Sequence, residues 1–403
     1  MSKIQYSEVS DGKGYFALLG ILGALVAVGL GAVWHMEHEG HWITGMDNQV
    51  VWGLPHVFAI FLIVAASGAL NVASLSSVFR KDFYKPLARL SALLSIALLI
   101  GGLAVLVLDL GQPDRLIVAM TYYNFKSIFA WNVMLYTGFL VIVGLYLWMM
   151  MDRKMNRHAK TVGTAAFIWR LALTTGTGSI FGFLVARQAY DSAILPPMFI
   201  AMSFSFGLAV FILVLMAGYS WSKRPLGDLV LHRLRNLLGV FVAAVLYFEL
   251  ARHLTNLYAT EHHGVEAFIL RDGGVYTLLF WAVQIGLGAL LPLALLYCPR
   301  PAKSRPALAA AAFLVIIGGM AQVYVIVIGG QAYPLAMFPG YEVTSAFHDG
   351  VINKYSPSVW EALLGLGGAA FAFLIVALGV RVLGFLPNSL ADEQFKVKVN
   401  TEA

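Results

Sequence analysis

The chain has 403 residues, of which 60% are hydrophobic and only 12% are charged, and its mean hydropathy is +0.78. Soluble domains carry about 25% charged residues, so the composition excludes an ordinary soluble protein. The net charge is +6, but no basic tract with stacking aromatic motifs occurs, which argues against a nucleic-acid-binding protein.

Ten apolar runs follow one another along the chain, and each is long enough to cross a bilayer. A spanning helix needs roughly 20 mostly apolar residues. Lipid offers no partner to backbone polar groups, and the runs are continuous rather than alternating, so helices are favoured over strands. The predicted fold is an all-α polytopic membrane protein with a single domain over residues 1–403. The predicted spans are residues 14–34, 51–79, 90–110, 127–151, 161–178, 198–221, 236–257, 275–297, 307–329 and 358–384.

Basic residues concentrate in alternate connections between these runs. Twenty of the 27 Lys and Arg residues lie near the two termini or in the second, fourth, sixth and eighth connections. The positive-inside rule therefore places both termini in the cytoplasm. The external connections are longer and rich in His, Tyr, Pro and acidic residues, which favours a docked external partner over simple caps of the bundle. They cover residues 35–50, 111–126, 179–197, 258–274 and 330–357.

One cysteine, Cys298, is present, which excludes an internal disulfide and a Cys-ligated cluster. P-loop and dinucleotide fingerprints are absent. For this reason we expect no iron–sulfur cluster bound by this chain, and we also expect no haem and no metal site. A haem held by His56 and His253, or a metal in the histidine-rich stretches 35–41 and 261–263, remains an alternative at this point.

Polar residues inside or beside the runs are the candidate functional residues, because each is costly in lipid unless it faces protein or water. His56 lies near the outer end of the second helix, and Asp109 ends the third. The run 174–179, Thr-Thr-Gly-Thr-Gly-Ser, is predicted to break the fifth helix near its outer end. The apolar stretch 179–197, interrupted by Arg187, is predicted to form a helix at the outer interface.

These residues suit a quinone pocket at the outer mouth. A quinone headgroup has two carbonyls that need donors, and oxidation of the quinol needs a proton acceptor, for which a histidine with a pKa of about 6.5 is suited. The predicted catalytic residues are His56 and Asp109. The alternative is that the polar groups only hydrogen-bond across helices. The predicted quinone contacts are His56, Asp109, Ser127, Trp131, Thr174, Thr175 and Arg187.

A second group of charged residues lies deeper in the runs. Arg170 is in the fifth helix, and Glu249, Arg252 and His253 share one face of the seventh because they are spaced i, i+3 and i+4. We predict that Arg170, Glu249 and Arg252 line a proton path.

Several of these stretches resemble the NrfD/PsrC family of membrane subunits of respiratory complexes. The resemblance rests on Trp52-Gly53 through His56, the helix with Gly68 and Asn71, the run 109–115 and the Ser127-containing helix, and it covers nearly the whole chain. Within the family, TGTGSIFGFLVARQAYDS and HHGVEAFILRDGG are most similar to DsrP, the membrane subunit of the Dsr sulfur-metabolism complex.

The resemblance implies a function. Family members bind a quinone near the outer face and exchange electrons with a docked iron–sulfur subunit. His56 matches the family's quinone-contacting histidine and Asp109 its acidic residue, whereas a tyrosine that some members supply is replaced by Thr174 or Thr175. We therefore expect menaquinone or ubiquinone as ligand, a periplasmic ferredoxin-like iron–sulfur partner and a bacterial inner-membrane location. The alternatives are a membrane transporter, which inverted repeats and broken helices would favour, or a redox-inactive membrane anchor.

Overall fold

The computed structural model describes residues 4–9, 12–299, 304–335 and 350–395. Within these residues the fold is built of long helices, which we label α1 to α10, joined by short connections on one side and longer ones on the other. Their bounds are α1 Lys13–Glu39, α2 Leu54–Ser77, α3 Asp82–Leu108, α4 Ile128–Met151, α5 Ala159–Gly182, α6 Leu195–Trp221, α7 Asp228–Tyr258, α8 Val275–Tyr297, α9 Arg305–Ala332 and α10 Val359–Val382.

Two short strands show that the segments before α1 and after α10 lie on one side of the bundle. Strand β1 (Tyr6–Ser7) pairs antiparallel with strand β2 (Leu386–Pro387). In the described part of the chain, nine of the ten helices are long and apolar enough to span a membrane, and α5 is the exception because Lys160, Arg170 and its threonines lower its apolarity. Paired ends need an even number of crossings, so α5 also crosses. The predicted all-α polytopic fold is confirmed.

The basic connections converge on the strand pair. Arg224 donates to the carbonyls of Ser7 (3.3 Å) and Leu386 (3.2 Å). Arg305 pairs with Asp228 at 2.8 Å from the neighbouring connection. The face that carries the predicted cytoplasmic charge is therefore one continuous surface, and the positive-inside rule assigns it to the cytoplasm.

Eight of the helices form two closed rings of four. In the first ring α2 packs on α3, α3 on α4, α4 on α5 and α5 on α2; in the second, α6, α7, α8 and α9 close in the same way. Contacts of α6 with α2 and α5, and of α9 with α2, join the two rings. Helix α10 covers α2 and α3, and α1 packs on α10 at the periphery. Each ring encloses its own interior, which gives the molecule two separate places for buried polar groups.

The rings touch where α2 crosses α6 at two glycines. A Cβ on Gly68 would overlap the carbonyl oxygen of Ser203, and a Cβ on Gly207 would overlap the backbone of Gly68 and Ala69. Small residues allow helix backbones to approach closely in membranes, where packing rather than hydrophobic exclusion holds helices together. The distance between the two rings is therefore set by backbone contact.

The predicted break of the fifth helix is wrong, because α5 continues through residues 174–179 to Gly182. The hydroxyls there bond back to the carbonyls four residues earlier: Thr174 to Arg170 (2.8 Å), Thr177 to Leu173 (3.0 Å) and Ser179 to Thr175 (2.8 Å). Such bonds satisfy hydroxyl groups without opening the helix. The glycines serve close contacts with neighbouring helices instead, as Gly178 does with Leu195 and Pro196.

The predicted interfacial helix over 179–197 is also absent. Residues 179–182 complete α5, residues 183–194 form turns, and α6 begins at Leu195. Pro196 and Pro197 stand in the first turn of α6, where a missing backbone N–H costs nothing, so they begin a helix rather than close one.

Candidate functional site

His56 and Asp109 meet at the outer ends of α2 and α3. Helix α2 begins after Gly53, with Pro55 and His56 in its first turn, and Asp109 is the residue that caps the end of α3. His56 Nδ1 lies 2.9 Å from Asp109 Oδ2. The side chain of His56 is 15% exposed, while that of Asp109 is fully buried. The structure thus brings together the two residues predicted to be catalytic.

Three buried polar atoms of this pair lack hydrogen-bond partners in the described part of the chain. The 2.9 Å contact lacks the alignment of a hydrogen bond, and among the described residues His56 Nδ1 and both oxygens of Asp109 have no hydrogen-bond partner. Burying a carboxylate without hydrogen-bond donors costs on the order of several kcal/mol of folding free energy. The site therefore has unused capacity to bind a proton or a polar ligand.

An aromatic wall stands beside the pair and is centred on Trp52. The Trp52 ring lies 6.3 Å from the His56 ring, 5.9 Å from Phe129, 5.7 Å from Phe181 and 6.4 Å from Tyr190, centroid to centroid. These residues come from the start of α2, from α4, from α5 and from the turn before α6. A flat, apolar ligand placed against His56 would meet ring faces and edges here.

Side chains far along the chain hold the start of α2 in place. Gln331 Oε1 accepts hydrogen bonds from the backbone N–H groups of Val51 and Trp52, both at 3.0 Å, and Gln331 Nε2 donates to the Trp52 carbonyl. Tyr355 accepts from the Leu54 N–H (2.8 Å) and donates to Glu361 Oε1 (2.6 Å). Trp52 and His56 are therefore positioned by the last two helices and their connection.

Arg187 belongs to this support rather than to the His56 pair. Its guanidinium donates to the carbonyl oxygens of Gln331 (3.0 Å) and Gln49 (2.9 Å). The Gln49 amide in turn donates to the carbonyls of Gln331, Ala332 and Val351. Sequence reasoning missed Gln331, Gln49 and Tyr355, although amides at the end of an apolar run are costly in lipid and were a usable signal.

Of the four remaining predicted quinone contacts, Ser127 and Thr174 are at least partly buried, whereas Thr175 and Trp131 are exposed. Ser127 caps the start of α4, two residues before Phe129 of the aromatic wall. Thr174 is buried, with its hydroxyl 2.6 Å from that of Ser67 on α2. Thr175 is exposed, and Trp131 is 47% exposed with its indole N–H bonded to the Phe125 carbonyl. Thr175 and Trp131 therefore face the surroundings of the bundle.

The predicted proton-path residues lie in different rings. Arg170 is fully buried in α5, with its guanidinium 4.8 Å from the ring of Phe167 and 4.9 Å from that of Phe204. Arg252 lies 3.9 Å from Glu249 in α7. No contact among the described residues joins Arg170 to the other two.

Comparison with known proteins shows which family the chain belongs to. Residues 42–335, more than half of the chain, match the family model described as polysulphide reductase, NrfD. The chain belongs to the NrfD family. The matched range includes α2 to α9, and therefore both rings, His56 and Asp109.

This NrfD-family protein is similar to named proteins from three organisms. It is 29% identical over 97% of its length to the Hdr-like menaquinol oxidoreductase integral membrane subunit of Archaeoglobus fulgidus, 98% of which is covered. It is 23% identical over 89% of its length to the menaquinone reductase integral membrane subunit of Nitratidesulfovibrio vulgaris, 89% of which is covered. It is 24% identical over 71% of its length to the C subunit of polysulfide reductase from Wolinella succinogenes, 96% of which is covered.

Four other histidines of this NrfD-family protein contact neighbouring groups in the described part of the chain. Both ring nitrogens of His253 face carboxylate oxygens, which leaves neither for a haem shared with His56. His35 lies against Trp360 and His38 stacks on Trp34. His262 bonds to the Gln188 carbonyl. Within the described ranges no three His, Cys, Asp or Glu side chains are arranged to hold a metal ion.

An apolar groove opens beside the site between α1, α3 and α10. It has a volume of about 160 Å³ and is lined by Val105 and Leu108 of α3, with Gly29, Gly367 and Phe371 among its other walls. Leu108 immediately precedes Asp109. The groove therefore runs along the membrane-exposed side of the helix that ends at the candidate site.

Proposed function

We propose that this chain is the quinone-reactive membrane subunit of an oxidoreductase complex and that His56 and Asp109 form its quinol site. The observation that supports the proposal is the buried pair itself, which has unpartnered polar atoms at the outer ends of α2 and α3 and an aromatic wall beside it. Relatives named as menaquinol oxidoreductase and menaquinone reductase membrane subunits support a quinone as ligand.

The pair can accept the first of the two protons that leave a quinol on oxidation, and the second by the same steps once the first has passed to the outer surface. The exposed part of the His56 ring hydrogen-bonds one quinol oxygen and accepts its proton, while Asp109, 2.9 Å from Nδ1, stabilises the imidazolium that results. Asp109 also receives the Nδ1 proton when the ring returns to its neutral form. Ring faces of Trp52 and Phe129 hold the headgroup, and the apolar groove along α3 receives the isoprenoid tail.

The electrons leave the membrane subunit through a partner. We propose a periplasmic, ferredoxin-like iron–sulfur subunit docked on the outer connections, in a complex of the bacterial cytoplasmic membrane that acts in sulfur metabolism. The polysulfide reductase subunit among the relatives supports the sulfur assignment. The long outer connections, several of which are tied together by Gln331, Gln49 and Arg187, offer a fixed surface for docking.

Binding of a quinol analogue to the purified full-length chain tests the site. Trp52 lies 6.3 Å from His56, so quenching of tryptophan fluorescence reports occupancy, and Trp52→Phe identifies its share of the signal. We expect His56→Gln and Asp109→Asn to weaken binding at least about tenfold, equivalent to about 1.4 kcal/mol. His263→Gln, a change of an exposed outer histidine, is the matched control and should bind as the wild type. Equal affinity in all four proteins would refute the assignment.

Two competing functions give different results in a second experiment. An uninterrupted α5 removes the broken helix that would favour a transporter. Affinity purification from native membranes should recover an iron–sulfur protein with both the wild type and His56→Gln, while quinol oxidation is lost only in the variant. A chain that purifies alone would favour the transporter. Unchanged quinol oxidation in His56→Gln and Asp109→Asn would favour a redox-inactive anchor.

A further inference from the structure

A second buried titratable cluster lies in the other helical ring. Glu249 and His253 of α7 meet Glu266, which stands in the short outer helix His263–Ala267. The exposed fractions of the three residues are 3%, 6% and 0%. His253 Nδ1 is 2.6 Å from Glu266 Oε2, and His253 Nε2 is 3.1 Å from Glu249 Oε1. One imidazole therefore bridges two carboxyl groups.

This geometry requires a proton beyond those of a neutral ring and two carboxylates. A neutral imidazole has one N–H donor, and its other nitrogen is an acceptor. Since both nitrogens of His253 face carboxyl oxygens, either the ring is an imidazolium or one carboxyl is protonated toward it. The outer oxygens of the two carboxyls are already occupied as acceptors, by the Asn256 amide (2.8 Å, on Glu266) and the Gln322 amide (2.8 Å, on Glu249). The additional proton therefore lies between the ring and one of the carboxyls.

The charged surroundings of the cluster favour this proton. Within the described ranges, Arg252 is the one other charged side chain in contact with the three residues, at 3.9 Å from Glu249. Helix α8 presents the Phe280 ring to His253, and α9 presents the Gln322 amide to Glu249. With the additional proton the four groups are neutral in sum, whereas without it one negative charge remains buried.

Glu249 opens onto a cavity that extends inward. The cavity is small, with a volume of about 20 Å³, and is lined by Glu249, Gln284 and Gln322 among mostly apolar residues, with Val242 and Gly318 deeper in the membrane. Gln284 Oε1 is buried and has no partner among the described residues. Gln284 stands in a π-helical stretch of α8, Leu279–Leu290, and such stretches frequently mark functional sites. A cavity of this size has room for about one water molecule, which the unpartnered Gln284 oxygen could bind beside Glu249.

We propose that Glu249, His253 and Glu266 form a proton-binding relay that connects this cavity with the outer face. Glu249 receives a proton from water in the cavity and passes it to His253 Nε2. His253 releases its Nδ1 proton to Glu266, which yields a neutral ring of the other tautomer and a protonated Glu266 carboxyl. One proton has then moved outward. The relay resets when Glu266 loses its proton to the outer connection and the remaining ring proton of His253 returns from Nε2 to Nδ1. The relay lies outside the His56 pair and does not depend on quinone binding there.

Nuclear magnetic resonance of the full-length chain, labelled with 15N-histidine and 13C-glutamate, tests the proposal at neutral pH. His253→Asn assigns the ring signals. We expect the wild type to show the additional proton, either as an imidazolium or as a protonated carboxyl of Glu249 or Glu266. A neutral ring beside two ionised carboxylates would overturn the proposal.

Glu266→Gln is the decisive variant because an amide replaces one carboxylate at nearly the same size. We expect a neutral His253 with a single N–H and slower exchange of that proton with D2O. Glu261→Gln, which changes an exposed glutamate in the same outer connection, should behave as the wild type. An imidazolium that persists in Glu266→Gln, or exchange as fast as in the wild type, would also overturn the relay. Binding of a quinol analogue should be unchanged in both variants, so failure of the relay is distinguishable from failure of the quinol site.

Discussion

Asp109 and Asp47 are two carboxylates on the same side of the molecule that differ in the number of hydrogen-bond donors around them. Asp47 accepts the backbone N–H groups of Gln49 (2.8 Å) and Val50 (2.7 Å), and its second oxygen accepts the Asn353 amide (2.6 Å). Asp109 is more buried and has no such donor among the described residues. Donors placed around Asp47 stabilise a turn, whereas their absence at Asp109 leaves room for chemistry.

The donors around Asp47 make the outer connections sensitive to acid. Burial raises the pKa of Asp47, but the hydrogen bonds from Val50, Asn353 and Gln49 outweigh it, so the pKa lies below its ordinary value. A lowered pKa contributes stability that is complete above the unfolded value of about 3.9 and is lost as the pH falls through the folded value. We expect Asp47→Asn to lower the thermal unfolding temperature at neutral pH and to equal the wild type in strong acid. A difference that does not depend on pH would contradict this account.

Thr174 and Thr175 give a matched pair on one helix. Thr174→Val removes the 2.6 Å hydrogen bond with the buried Ser67 hydroxyl, which keeps its bond to the Arg170 carbonyl (3.2 Å), and we expect a loss of about 0.5–1.5 kcal/mol in stability. Thr175→Val changes an exposed position and should have little effect. Thermal unfolding in detergent measures both. Equal effects of the two substitutions would mean that the buried hydroxyl pair is not what stabilises α5 against α2.

At the scale of elements, the crossing of α2 and α6 depends on glycine at two positions. Gly68→Ala would press a methyl group on the Ser203 carbonyl, and overpacking of this kind costs about 1–3 kcal/mol. Gly144→Ala in α4 meets nothing within 4 Å and should be neutral or stabilising, because alanine favours the helix. The fraction of folded protein after detergent extraction, measured by size-exclusion chromatography, checks both. A well-folded Gly68→Ala protein would show that the rings can separate at little cost.

At the scale of the whole molecule, the natural cysteine reports orientation. Cys298 is exposed at the end of α8 that faces the basic connections. We expect a membrane-impermeant maleimide to label it in inverted membrane vesicles and not in intact cells. Glu261→Cys in a Cys298→Ser background places a thiol on the opposite face and should give the reverse pattern. Labelling of Cys298 from outside would invert the assignment made from the positive-inside rule.

The sequence was sufficient for the fold class and for choosing two residues, His56 and Asp109, that lie in contact. The burial of apolar runs in lipid and the placement of basic connections depend on local composition alone, so all ten described helices could be located from the sequence. His56 and Asp109 could be chosen because each is a costly residue near a helix end. Thr175 and Trp131 were predicted beside them but lie on exposed faces of their helices, since the sequence shows their depth but not the face that they occupy.

Long-range contacts could not be predicted. The Gly68–Gly207 crossing and the bridge from Gln331 to Trp52 depend on which helices become neighbours, and a single sequence without packing information does not contain that choice. The break expected at 174–179 failed for a related reason. Thr and Gly weaken a helix taken alone, but back-bonded hydroxyls and close neighbours stabilise α5 in the bundle.

The bridges from Gln331 and Tyr355 also bear on how the protein is made. His56 and Asp109 lie in the first three helices to enter the membrane, but the amides of Val51, Trp52 and Leu54 receive their partners only from residues about 280 to 300 positions later. During synthesis the pair is therefore present long before the hydrogen bonds that position the start of α2 can form. The site acquires its shape only when the last helix has been inserted, so under the proposed function an unfinished polypeptide would not react prematurely with quinol.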